Sequence, residues 1–569
     1  MSVQDEYEEV DPFEDEYDEV DPSEFDDEPD AEPRQTPVLT VVPPTPSVYD
    51  PLAYAKSVWR SLVRKGADGH VEFPDIVRQA FELLRAHYWA VEWGGEVLAL
   101  RRTSIEQPDG GVLVRPSDSM LDDAAVDFLL AGHATPPSVT TLKNARQAWR
   151  GRPHHLAAAP WTRWGRSDDG ALWWDSGRED GQAIRLDTTG WSIEPTPGCW
   201  FVRPPGLRAL PLPERGGSIE DLWQYVNVDP EDRSLVVAWL LASMLPRFTD
   251  DAGMLYITGP AGSGKSTSMS VLSEAAGGEP NRKPKATGSA RDLAAAASAG
   301  WVFTIDNVSS WSAEESDYLC MILTGMEIPL RKLYTTSDVT LVAVRRPAIA
   351  TAIDVPVLRE DLVRRMVPVP VKRLPANVPA TRLLADWTST QPKVFGALLD
   401  LMVQVEALGD PPAGTNLSTL AAWGRMAWAL DQLMPPADGI STVDRCVQRR
   451  TQLNSDDVLD DPFWRFAAHR LDGKVFVGTL AAFIQLVGRP EDPLVDTKSW
   501  PSSRALPGRI ERHHVGLTAT GWKFEKQPSV SAVATGHAPT WVITPPPRPD
   551  NGHAPGCACP SCEVHHEDF

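Results

Sequence analysis

The sequence predicts an α/β protein built around a parallel sheet. Three observations carry this. Apolar strand runs alternate with helical stretches from Met254 to Val371, the spacing of a parallel sheet. A glycine-rich turn, Gly259–Ser266, lies between one such run and a helix. A second apolar run, Trp301–Ile305, ends in Asp306, 41 residues after Lys265. Around this core the pattern predicts a mixed α+β N-terminal region, a helical lid and a C-terminal winged helix.

The segments follow in order. Residues 1–47 form an acidic tail. Seventeen of the 78 acids lie between Asp5 and Glu32, so the remaining chain carries only −7 of the net −24. The tail repeats itself, with Asp5–Pro12 recurring as Asp15–Pro22. Such a segment repels itself and buries little, which predicts disorder. It is either a solubilising tail or a peptide that mimics nucleic-acid charge or docks on a basic replication partner, with Tyr7, Phe13, Tyr17 and Phe25 as apolar anchors.

Residues 48–135 read as a small α/β module: helical spacing over 51–65 and 74–87, a hairpin around Gly94-Gly95, and a helix near 122–131. Residues 136–228 are a tryptophan-rich, β-containing region; residues 149–239 hold nine of the 21 Trp. These rings either stack on bases or fill a small β core. Residues 229–373 form the core and 374–450 the lid. Residues 451–545 read as helices over 473–488 and 502–512, followed by strands at 522–525 and 541–543. That order predicts a winged helix with Arg504, Arg509 and Arg512 on its DNA face. Residues 546–569 are a Cys/His-rich tail, in which Cys557, Cys559, Cys562 and His565 suit a tetrahedral Zn²⁺ site. The other three cysteines are isolated and read as core.

Six cysteines in 569 residues exclude a disulfide scaffold, and no apolar run is long enough to span a bilayer. The acidic start is neither a secretory signal nor a transit peptide. A cytosolic (cytoplasmic) protein without membrane contact is expected.

Gly259-Pro260-Ala261-Gly262-Ser263-Gly264-Lys265-Ser266 fits G-x-x-x-x-G-K-[ST]. The glycines let backbone N–H groups surround phosphates, and the helix that follows, opening with Ser266 and Thr267, presents its positive end. Lys265 is expected to neutralise the β/γ oxygens of ATP, with Ser266 and Asp306 as Mg²⁺ ligands. Asn307 stands where many hydrolytic enzymes carry Glu. Asn orients a water but takes no proton, so the base falls to Glu314, Glu315 or Asp317, or hydrolysis is slow.

The ordered series Leu210–Gly217, Trp239–Pro246, the phosphate loop (P-loop), Asp306–Ser309, Ser316–Cys320, Arg331–Thr335, Arg346–Ile349, Arg359–Arg365 and Phe395–Asp400 resembles a family. The run from Trp200 to Ala407 is similar to helicase-type ATPases of actinobacterial phages and integrative elements. These are primase-helicase-like and belong with superfamily 3 helicases in the AAA+ class. The resemblance implies an AAA+-like ATPase core and an ATP-driven DNA helicase acting on single-stranded or forked DNA, in a ring that is a hexamer in this class. It places Thr351 at the sensor position that reads the γ-phosphate and Arg365, or its neighbour Arg364, as an arginine finger for the next subunit. Arg425 becomes a second sensor. Arg331 and Lys332 sit on a hairpin that would grip nucleic acid in the central channel. The rival expectation is a regulatory ATPase that remodels protein and never moves on nucleic acid.

Overall fold

The computed structural model describes residues 50–62, 64–65, 71–72, 75–93, 96–102, 110–114, 116, 126–127, 130, 137–151, 153–156, 160–204, 206–246, 252–278, 290–309, 311–331, 339–353, 359–374, 379–488, 500–527 and 539–547. The acidic tail and the Cys/His-rich tail, with Cys557, Cys559, Cys562 and His565, lie outside them. So does most of the helix expected near 122–131.

Six strands organise the core: β1 (Met254–Thr258), β2 (Phe303–Val308), β3 (Met326–Arg331), β4 (Val339–Val344), β5 (Ala348–Ala352) and β6 (Met366–Pro370). Four of them form an all-parallel sheet in the order β2-β5-β1-β6. A central parallel strand is buried on both faces and must be apolar throughout. Strand β1 obeys this: Leu255 and Ile257 enter one core cluster, Met254 and Tyr256 the other, and all four are fully buried. On the first face lie the helix Arg233–Ser243, the loop helix Lys265–Ala275 and the lid helices Ala380–Leu408 and Ala421–Leu433. The helices Ala290–Ser298 and Ala313–Thr324 cover the second. Strands β3 and β4 stand apart as an antiparallel two-stranded ribbon.

The N-terminal module packs the helices Pro51–Ser61, Ile76–His87 and Val139–Arg150 against the hairpin Tyr88–Trp93/Glu96–Arg101. Asp50, Asp75 and Ser138 each cap a helix by accepting a first-turn N–H. The module does not end near residue 135. Strand Trp200–Val202 pairs in parallel with Gly111–Val114 and completes its five-stranded sheet, so the chain leaves the module and returns. Between those points runs a four-stranded antiparallel meander from Trp164 to Glu194. Its tryptophans are core. Trp164 and Trp174 are each 1% exposed and meet Phe395 of the long lid helix, and Trp191 Nε1 donates to Asp400 at 2.8 Å. These rings weld the meander to the lid, and base stacking by them is excluded by burial.

The C-terminal unit corrects the expected elements. The stretch 473–488 is not one helix. Asp472 in a left-handed conformation ends the helix Pro462–Leu471, Phe476–Gly478 forms a strand, and Thr479 caps a new helix, Leu480–Val487. The expected two-strand end is therefore a three-stranded antiparallel sheet, with Trp541–Thr544 between Phe476–Gly478 and Lys523–Lys526. Helices Leu506–Arg512 and His514–Ala519 precede its last two strands. The core is aromatic, built on Phe463, Trp464, Phe483 and Trp522. Gly516 lets the last helix approach Thr442–Asp460, because a Cβ there would stand 2.1 Å from the Asn454 carbonyl oxygen.

Candidate nucleotide site

Strand β1 runs straight into the glycine-rich turn, and the turn into the loop helix. The backbone demands its glycines. Gly262 and Gly264 both have φ near +78°, a left-handed conformation costly for other residues. A Cβ on Gly259 would lie 2.2 Å from the Val371 carbonyl oxygen. Lys265, buried at the first helical position, curls back so that Nζ donates to the Gly259 and Pro260 carbonyls and, at 3.3 Å, to Ser263 Oγ. The loop thus closes around its own cation. Pro260 and Ala261 shape the turn, and Ser266 and Thr267 begin the helix.

Because β5 lies between β1 and β2, the three strand ends converge. Ser266 Oγ donates to Asp306 Oδ1 at 2.8 Å, and Thr351 Oγ1 donates to the same oxygen at 2.7 Å. Asn307 N–H donates to Thr351 Oγ1 at 2.8 Å. Asn307 has φ +57° at a register shift between Ile305 and Val308. Such a bulge re-aims a side chain at the end of a strand, and Asn tolerates the left-handed conformation better than most residues. Four residues chosen from sequence, Lys265, Ser266, Asp306 and Thr351, are therefore gathered at one edge, with Asn307 held to them by its backbone. A hydroxyl and a carboxylate already in contact are a donor set suited to Mg²⁺, beside a lysine and a helix N-terminus suited to phosphate.

One residue escaped the sequence reading. Asn227 Nδ2 donates to the Ser263 carbonyl at 2.9 Å and to the Lys372 carbonyl at 2.7 Å, and its N–H donates to Ser268 Oγ at 3.2 Å. It ties the loop to the strand-end segment after β6. No local motif marks it, since its partners are 36 to 145 residues away.

Arg364 and Arg365 are not part of this group. They precede β6, and Met254 N–H donates to the Arg365 carbonyl, which puts both at the N-terminal edge of the sheet. A five-residue strand separates the two edges by roughly 13–16 Å. Arg365 bonds the carboxylate and, at 2.8 Å, the carbonyl of Asp361. That hydrogen bond holds the Asp361 carboxyl below the usual range. Arg364 is exposed and pairs with Glu360 at 2.6 Å. Of the three base candidates, Glu315 is spent in a capping box with Ser312 and Asp317 pairs with Arg359. Arg425 pairs with Glu406 at 3.6 Å and Asp410 at 3.3 Å beside the lid helices.

The β3–β4 ribbon carries Arg331 at its far end, opposite Val339. Lys332 lies outside the described residues. The base of the ribbon is anchored: Arg346 Nε donates to the Gly300 carbonyl and its guanidinium lies 5.8 Å from the Trp301 ring. Arg346 is thus a buried structural residue. In the C-terminal unit Arg504, Lys523 and Lys526 are exposed, and nothing is described of the Arg512 side chain. Arg509, expected on a DNA face, instead turns inward to a buried ion pair with Asp461, over the Phe463 ring. Burial of Asp461 at the cap of Pro462–Leu471 demands this partner. Cys199, Cys320 and Cys446 are buried, with thiols pushed up to about 12, 12 and 11 by burial.

Among the described residues no group of His, Cys, Asp and Glu has metal-site geometry, and no helix is long and apolar enough to cross a membrane. No curated protein matches the sequence. Among solved structures, the A form apo structure of the NrS-1 C terminal region is similar at 11% identity and TM-score 0.32, covering 82% of this chain and 98% of that one. A JCV Helicase with a bound thiazolopyridinyl-phenoxyphenyl acetamide is similar at 16% identity and TM-score 0.19, covering 36% of this chain and 61% of that one. Residues 219–446, from the turn before Asn227 through the glycine-rich loop to the lid, match the model of a family described as "Actinomycete integrative conjugative element replication protein".

Proposed function

We propose that the chain is an ATP-hydrolysing nucleic-acid translocase, a DNA-helicase-like AAA+ ATPase that works as a ring in the replication or transfer of a mobile element. One observation carries the reading: Ser266, Asp306 and Thr351 share hydrogen bonds beside Lys265, while the finger candidates Arg364 and Arg365 sit at the opposite sheet edge. In this reading Lys265 leaves its loop carbonyls for the β/γ oxygens of ATP. The loop N–H groups and helix N-terminus hold the phosphates. Mg²⁺, when bound, would be held by Ser266 and Asp306 and would neutralise charge on the β- and γ-phosphates. Thr351 reads the γ-phosphate, and Asn307 orients the attacking water. Arg365 of one subunit serves the nucleotide of the next.

The C-terminal unit is proposed to be a winged helix. Its order of helix, strand, helices and two strands supports this, and its DNA contacts then fall to Arg504, Lys523 and Lys526. Cys557, Cys559, Cys562 and His565 are proposed to bind Zn²⁺. Chelation of freshly purified, reduced protein should release about one ion per chain. The acidic tail is proposed to oppose DNA binding, so deleting residues 1–45 should raise DNA affinity at low salt.

The test is the ATPase rate with and without single-stranded DNA, on the sample whose mass is measured with nucleotide. Stimulation by DNA in an oligomer is the expected result. Hydrolysis indifferent to DNA supports instead the remodelling ATPase, which the inward turn of Arg509 favours.

A further inference from the structure

The N-terminal module contains a cavity of about 600 Å³, distant in sequence from the phosphate loop. Its volume lies in the range of small-molecule sites. Three arginines line it: Arg78, Arg85 and Arg102. Asp75, the only acid on the described wall, is spent in part on capping its helix, where it accepts the Arg78 N–H at 2.8 Å.

Arg102 is the unusual member. It is 6% exposed, and its Nε and Nη1 have no hydrogen-bond partner among the described residues. Its guanidinium stacks 3.5 Å from the Trp89 ring centroid, which leaves the N–H edge for an in-plane acceptor. Trp89 Nε1 is buried and unpartnered as well. Leaving such donors unmade costs free energy, so a protein keeps them where something else completes them. The unpartnered buried atoms of Arg102 and Trp89 are all donors, which calls for a ligand rich in acceptors. Ile76 and Val77, whose N–H groups have no intrahelical acceptor, also line the cavity. The rings of Phe81, Trp89 and Trp149 supply flat apolar wall. Arg78 and Arg85 lie at the exposed rim and share Glu82.

We propose that this cavity binds a nucleotide unit, its phosphate on Arg102 and the rim arginines and its base among the rings. The same chemistry is offered by a free nucleoside triphosphate and by the terminal nucleotide of a single strand. Either would make the module a second nucleotide site, independent of hydrolysis at Lys265.

The full chain carrying Lys265→Ala is photolabelled with azido-ATP, digested, and its labelled peptides identified. The proposal expects label on peptides within residues 75–155, reduced about tenfold or more by Arg102→Gln and by Arg85→Glu. Excess oligo(dT) that removes this label identifies a strand terminus as the source; failure to compete identifies free nucleotide. If Arg102→Gln does not fold, Arg85→Glu, on the exposed rim, decides. Label confined to residues 259–275, or module label unchanged by the folded variants, overturns the proposal.

Discussion

At the C-terminal edge of the parallel sheet, Ser266, Asp306 and Thr351 form one hydrogen-bonded group beside Lys265, which bonds its own loop. At the N-terminal edge, Arg346 is spent on backbone and Arg365 on Asp361, and the β3–β4 ribbon enters β5. The first edge holds the parts for phosphate. The second holds Arg346, Arg365 and the ribbon, separated from that group by the length of the strands. The difference teaches that, among the described residues, Arg364 and Arg365 stand a strand's length from Ser266, Asp306 and Thr351 of the same chain. On the proposed reading, a neighbour supplies it, and strand β5 links the two edges by carrying Thr351 at one end and the ribbon at the other.

The comparison is broken most severely at the first edge. Lys265→Ala should lower phosphate release about 10³-fold, because the loop loses its buried cation. Near-normal turnover would remove the nucleotide-site assignment. Arg365→Ala should lower hydrolysis by a similar factor, about 10³ or more, with ATP binding by calorimetry unchanged. Arg364→Ala, at an exposed pair with Glu360, should do much less. If the two arginine variants behave in reverse, Arg364 is the finger.

The ribbon sharpens the contrast. Arg331→Ala/Lys332→Ala should keep basal ATPase activity but lose DNA stimulation and flatten the salt dependence of DNA binding. Parent-like unwinding by this variant favours the remodelling ATPase. Asn227→Ala should weaken ATP binding about tenfold, since two carbonyls lose a shared donor. Unchanged affinity would show that the loop holds its shape alone.

The smallest effect concerns Glu274, on the loop helix. Burial raises its carboxyl above the usual range, and Trp387 Nε1 donates to it at 3.0 Å. A raised folded-state pKa contributes stability below the ordinary glutamate value, lost as pH rises through the raised value. Glu274→Gln should therefore melt higher than the parent at neutral pH, with the gain shrinking in acid below about pH 4.3. A gain that grows in acid would reverse the assignment.

The loop, Asp306 and the hairpin were legible because each is local: a spacing of glycines, a strand end, a turn between alternating runs. Strand β1 announced its double burial through a continuous apolar run. The rest was not local. Asn227 acts through carbonyls far along the chain, and Trp200–Val202 joins a sheet begun at Tyr88. Phe476–Gly478 reads as helix beside Leu480–Val487, and only pairing with Trp541–Ile543 makes it a strand. Arg509 has the composition of a DNA-facing residue, and the buried Asp461 turns it inward.

The shared site is tested most directly by mixing. Lys265→Ala and Arg365→Ala chains, each inactive, are combined and allowed to exchange before the ATPase rate is read. The account predicts recovered hydrolysis, because some interfaces then join an intact Lys265 to an intact Arg365. Activity that stays at background across all mixing ratios, with exchange shown by mass, would contradict a site built from the two sheet edges of neighbouring chains.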